Sequence, residues 1–258
     1  MPSWLALPDV PIYVLLAVPC VIVLAYTIFG ATGFGSSIIA VPLLAHAFPL
    51  SFSVPLVTTV DAFAAPTATV RQRRHVAWRE FFRLLPTMLV GMAVGGTLMV
   101  NLPRTPAVFA LGVFVTAYGG YVLRGPRALS KAPVWVAWPI GFIGGIFSVL
   151  FGTGGPIYII FLSSRIADKG ALRATAALVV TTGVLARVVV FIGTGLLLNA
   201  PLLLLGFLML PAMVIGLKLG NRLHDRLSGA GVLRLIAGLL LVNGVTLIAR
   251  ALAEWHVV

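Results

Sequence analysis

Charge is what this 258-residue chain has least of: only 9% of its residues are Asp, Glu, Lys or Arg, and six of those are acidic. Against 60% hydrophobic residues and a mean hydropathy of +1.10, so few charges cannot clothe a water-soluble domain of this size. A soluble fold is excluded. Cysteine is nearly absent too. Cys20 alone can form neither an intrachain disulfide nor a thiolate cluster, and His46, His75, His224 and His256 are too scattered to suggest a metal-ligand set. No cofactor or metal is expected. No ATP-binding motif occurs, and no nucleophile, base and orienting group stand together, so the chain is not expected to be an enzyme. No Lys or Arg precedes Arg71. The start therefore lacks the basic region of a secretory signal and is expected to remain as a first membrane segment.

What is present is apolar sequence in runs of spanning length. A membrane helix needs about 20 such residues, and the pattern predicts helices near 10–30, 51–70, 81–101, 104–123, 134–152, 171–198, 201–221 and 232–250. Two shorter pieces, 34–48 and 154–164, are left over. The second cannot cross about 30 Å of hydrocarbon at about 1.5 Å per residue. Such a piece stops partway or continues another helix after a break, and backbone that leaves the helix at membrane depth is tolerated only beside protein or a watery cavity. The predicted fold is thus all-α and polytopic, one transmembrane domain over residues 1–258, with about eight spanning helices plus two broken or re-entrant segments, and up to ten crossings.

The net charge of +12 would suggest nucleic acid on a soluble protein, but the basic residues lie between apolar runs rather than on one face. Five fall at 71–83, three at 124–131, three at 165–173 and four at 218–234. The positive-inside rule makes these loops cytoplasmic and puts both chain ends outside. Basic run 71–75 reads as a topology determinant and lipid-headgroup contact, and Lys218, Arg234 and Arg250 as interfacial anchors.

The halves resemble each other. GFGSSIIAVPLL from Gly33 matches GTGGPIYIIFLS from Gly152, LVTT at 56–59 matches VVTT at 179–182, and LPTMLVGMAVG at 85–95 matches LPAMVIGLKLG at 210–220. Loops after matching helices have opposite charge character: basic 71–79 corresponds to neutral Asn199-Ala200-Pro201, and near-neutral 46–51 to basic 165–173. The expected copies, 10–123 and 134–250, are therefore upside down relative to each other. Inverted repeats offer two nearly equivalent packings, one open to each side, which is the usual basis of alternating access in a transporter.

A Gly-rich break after the first helix of each half, a basic loop in the first half and an LP…G…G helix together resemble the sulfite exporter TauE/SafE permease family, over about the whole chain. The resemblance implies a multi-pass permease of the bacterial inner membrane for small organosulfur or sulfur-oxyanion substrates. The first copy carries Gly35-Ser36-Ser37 where a longer glycine cluster is expected, whereas Gly152-Thr153-Gly154-Gly155-Pro156 fits the second copy well.

The two breaks are the candidate substrate site. Glycine lets N–H groups approach a ligand closely, and helix N-termini bind anions through unpaired N–H groups without a lysine. Gly33, Gly35, Gly152, Thr153, Gly154 and Gly155 are placed there, with Ser36 and Ser37 adding hydroxyls and Pro156 opening the second helix. Gly91, Gly95, Gly216 and Gly220 read instead as helix-packing residues. Thr58-Thr59 and Thr181-Thr182 occupy matching helix positions and are further substrate-site candidates, whose hydroxyls either line a polar path or donate to an oxyanion, or bond their own helix backbone. Asp61 and Arg187 lie deep in apolar helices, so each requires a partner or a cavity. Either they pair with each other, or Arg187 anchors substrate and Asp61 couples transport to protons. Asp61 falls roughly one turn after Thr58, whereas Arg187 is about 140° around from Thr182. The expected function is secondary transport of a small anion such as sulfite or an organosulfonate, with H+ as a candidate co-substrate; an anion channel is the alternative. Oligomerisation is left open.

Overall fold

Long apolar runs in a bilayer must pair their N–H and C=O groups within the segment, and helices do so. The computed structural model describes residues 12–32, 35–70, 75–124, 132–224 and 229–255. Among these every regular element is helical. The first half contains α1 (Ile12–Thr32), α2 (Ser36–Ala45), α3 (Leu50–Val70), α4 (Trp78–Asn101) and α5 (Arg104–Leu123). The second contains α6 (Ala137–Phe151), α7 (Gly154–Arg165), α8 (Lys169–Gly193), α9 (Ala200–Leu208), α10 (Leu210–His224) and α11 (Gly229–Trp255). Six stretches, four of them α4, α5, α6 with its leading turn, and α8, are long and apolar enough to cross a membrane; α9 with α10 and the 236–255 part of α11 complete the set. The chain is a multi-pass membrane protein.

Several boundaries differ from those expected, two of them through a break in the helix. The helix predicted over 171–198 ends at Gly193, because Gly195 turns left-handed at φ 81° and a short 3-10 turn follows. That predicted over 201–221 is interrupted at Met209. Pro211 explains the interruption, since its ring crowds the carbonyl four residues back and it has no N–H to donate.

Packing is reciprocal between the halves. α1 lies on α10 and α6 on α4, while α3 packs on α8 and α5 on α11. Small residues permit the close approaches. A methyl at Gly91 would overlap the Phe142 carbonyl of α6, and one at Gly95 would sit 3.0 Å from the Ile146 carbonyl. On the other pair, a methyl at Gly216 would sit 2.7 Å from the Val23 carbonyl of α1, and one at Gly220 would overlap Thr27. All four glycines are packing residues, as their spacing suggests. Large apolar side chains such as Leu16, Trp138 and Val189 point outward, where the bilayer solvates them.

The short helices α2 and α7, at about 15 and 18 Å by helical rise, follow α1 and α6 after a break and pack on α3 and α8 respectively. An arginine holds the far end of each. Arg250 of α11 donates to the His46 carbonyl that caps α2 and also pairs with Glu254 at 2.9 Å. Arg165, in the last turn of α7, reaches Glu80 of α4 at 3.3 Å and the Ala132 carbonyl at 3.1 Å. Lys218 is exposed, and Arg234 and basic residues 71–74 lie outside the residues whose side chains are described.

Candidate functional site

Each break turns on one glycine with positive φ: Gly35 at 98° before α2, and Gly152 at 71° after α6. An L side chain in this region costs about 1–2 kcal/mol, so the chain reverses here at little strain. The sequence alignment pairs Gly35 with Gly154, and Gly152 with Gly33, which lies outside the described residues. The breaks touch. A methyl at Gly152 would lie 2.8 Å from Ser37 Cβ and 2.9 Å from Arg187 Nη1.

Asp61, midway along α3 and 3% exposed, is the hub between them. Its Oδ1 accepts from the Tyr26 hydroxyl at 2.6 Å and the Ser36 hydroxyl at 2.7 Å, and its Oδ2 from the Ser37 hydroxyl at 2.7 Å. Arg187 Nη2 approaches the same Oδ2 at 3.5 Å, while Nη1 donates to the Ser148 carbonyl at 3.3 Å. The ion pair is buried, so breaking it by removing one partner should cost about 3–5 kcal/mol. Its charges cancel formally, but its hydrogen bonding is unequal. Every oxygen of Asp61 is engaged, whereas Arg187 Nε is buried without a partner among the described residues.

The second break is similarly incomplete. Thr153 occupies the N-cap of α7, yet its side chain makes no capping bond, and its Oγ1 is buried without a partner among the described residues. Pro156 falls at the third helical position rather than the first. A small cavity joins the breaks, lined by Gly35, Ser36, Ser37, Asp61, Gly152, Thr153, Gly155 and Arg187, with Phe29, Val180 and Val184 among its apolar walls. About 30 Å³ is open, room for about two waters. An anion of four or more heavy atoms enters only if it widens.

Eight of the sequence-selected residues thus meet at one cavity. Gly154 faces α6 instead, against Ser148 and Tyr158. Gly33 lies outside the described residues. The threonine pairs do not line the cavity: Thr59 donates to the Pro55 carbonyl at 3.0 Å, Thr181 to the Ala65 carbonyl at 2.9 Å, and Thr182 is half-buried. Thr58 is fully buried, and its hydroxyl has no partner among the described residues. Sequence reasoning overlooked Tyr26. Tyr13 and Tyr26 both lie in the apolar run of α1, and although a buried hydroxyl needs a partner, nothing in the run singles out the second of them. No cluster of His, Cys, Asp and Glu that could hold a metal occurs among the described residues.

A family model described as sulfite exporter TauE/SafE matches residues 18–247. Among curated relatives, the "probable inner membrane transporter protein TsaS" of Comamonas testosteroni is 31% identical over 175 residues, covering 67% of this chain and 73% of that protein. The "probable sulfite/organosulfonate exporter TauE" of Cupriavidus necator is 27% identical over 239 residues, covering 87% and 90%. No solved structure matches the chain significantly.

Proposed function

The chain belongs to the sulfite exporter TauE/SafE family, and on that premise we propose that it is a secondary transporter of the bacterial inner membrane. It moves sulfite or an organosulfonate by alternating access between two inverted repeats, residues 10–123 and 134–250. The carrying observation is the pair of unspent donors at the cavity, Thr153 Oγ1 and Arg187 Nε, beside the start of α7. Buried donors without partners are costly, and an anion relieves both.

Reciprocal packing of α1 on α10 and α6 on α4 supports the repeat reading, as do the paired packing glycines. In this scheme the basic loops are cytoplasmic, both chain ends lie outside, and the two broken helices carry the site near the repeat interface. Asp61 is the coupling group. When a proton neutralises it, its hold on Arg187 weakens and the guanidinium is freed for substrate; when the proton leaves, Arg187 is drawn back. Asp61 and Arg187 thereby link substrate charge to proton movement.

The test is counterflow in liposomes with purified protein, offering sulfite, sulfate, thiosulfate, short sulfonates and carboxylates, with and without a pH difference. Saturable exchange of three-oxygen sulfur anions that responds to the pH difference is expected. Movement of cations or neutral solutes alone would refute the reading, and non-saturating anion current would indicate a channel. Cysteine labelling that put residues 75 and 200 in one aqueous compartment would defeat the inverted topology.

A further inference from the structure

One buried polar group near the site has no part in the scheme above. Tyr158 is 2% exposed, and its hydroxyl has no hydrogen-bond partner among the described residues. Leaving a hydroxyl buried and unpaired costs about 1–3 kcal/mol, a penalty phenylalanine would avoid. The ring is closely housed. A methyl at Gly154 would lie 3.0 Å from Tyr158 Cε2, and one at Gly144 of α6 would overlap the ring.

The housing adjoins the candidate site. Tyr158 sits one turn along α7 from Gly154, on the same face. A methyl at Gly154 would also lie 2.8 Å from Ser148 Cβ, and the Ser148 carbonyl accepts from Arg187 at 3.3 Å. Tyr158, Gly154, Ser148 and Arg187 therefore form one contiguous group. Three buried donors around it lack partners among the described residues: Thr153 Oγ1, Arg187 Nε and Tyr158 Oη. Two of the three ride on α7, so a shift of that helix moves both hydroxyls together.

We infer that the Tyr158 hydroxyl is a third hydrogen-bond donor to the bound anion, and that it makes the site prefer heads with three terminal oxygens over two-oxygen carboxylates. The inference rests on the proposed anion-binding reading. Tyr158 does not line the cavity in its present narrow form; the contact forms as the cavity widens to admit substrate. A sulfite or sulfonate head then gives each donor an oxygen of its own in a pyramidal arrangement, whereas a planar carboxylate meets all three only by taking two of them on one oxygen, and so gains less from the third.

Tyr158→Phe keeps the ring and its packing and removes only the hydroxyl. Thermal unfolding and calorimetric titration of the detergent-purified protein should be run with sulfite, 1-propanesulfonate and butyrate, the last two sharing one alkyl chain. The expected result is an unliganded Tm equal to or above that of wild type, about tenfold weaker sulfite and propanesulfonate binding, and a smaller loss of butyrate binding. A parallel Thr153→Val protein should show the same pattern. If Tyr158→Phe binds all three anions as wild type does, or loses Tm with all three affinities falling alike, the hydroxyl has only a structural role and the inference is wrong. If wild type itself binds none of them, it is the anion-transport reading that fails.

Discussion

The two breaks use their polar groups in opposite ways. At the first, before α2, the hydroxyls of Ser36 and Ser37 are committed to Asp61, and Gly35 has only ordinary contact with Ile38. At the second, before α7, the Thr153 hydroxyl and Arg187 Nε have no partner among the described residues, and Gly152 is pressed against Ser37 and Arg187. Matching motifs have thus become different devices. The first break is a closed internal network around Asp61, and the second leaves donors without partners among the described residues. A site with every donor satisfied internally would gain little from an incoming anion.

The contrast can be tested in order of expected effect. The largest belongs to the ion pair that joins the breaks. Arg187→Met should abolish transport and cost about 3–5 kcal/mol by stranding Asp61, read as a lowered midpoint in denaturant. Adding Asp61→Asn to that variant should recover at least half the stability and none of the transport. Full stability in Arg187→Met alone would mean that the pair does not hold the breaks together.

Glycine substitutions come next. Gly152→Ala combines left-handed strain of about 1–2 kcal/mol with displacement of Ser37 and Arg187, so sulfite counterflow should nearly vanish. Gly35→Ala bears similar strain without the displacement, and should lose stability while keeping measurable counterflow. Equal loss of transport in both variants would erase the distinction between the breaks.

Hydroxyl deletions separate the devices more finely. Ser37→Ala removes a bond to a charged acceptor and should lower stability by about 1.5–3 kcal/mol. Thr153→Val removes a hydroxyl that has no partner, so its unfolding midpoint should stay level or rise while the KM for sulfite increases several-fold. Smallest of all is Lys218→Gln on the exposed face of α10, where surface substitution changes stability by about 0.5 kcal/mol or less and initial transport rates should not move.

Much of this arrangement was legible in advance, for reasons that differ by residue. Asp61 and Arg187 stood out because an ionisable group in an apolar helix must find a partner or a cavity; each has the other. Glycine and proline clusters located both breaks to within a few residues, since special backbone geometry demands those residue types. The threonine pairs were matched by position, yet Thr59 and Thr181 donate to carbonyls because a threonine hydroxyl finds a backbone acceptor wherever one is near. Tyr26 and Tyr158 were invisible as site residues. Their roles depend on which helix packs opposite, and one tyrosine in an apolar run looks like another.

Composition and run length alone established a multi-pass helical protein, because no soluble surface can be made from so few charges and no bilayer span from so few residues as α2 or α7 contain. Local chemistry also placed the breaks, since a chain cannot turn left-handed cheaply without glycine. Only the tertiary structure decided which buried groups meet: that Asp61 collects three hydroxyls and an arginine from three other helices, α1, α2 and α8, and that Thr153, Tyr158 and Arg187 Nε are left without partners among the described residues. Hydrogen bonding acts over about 3 Å, and residues as far apart in sequence as 26, 61 and 187 come within that range only through the packing of whole helices.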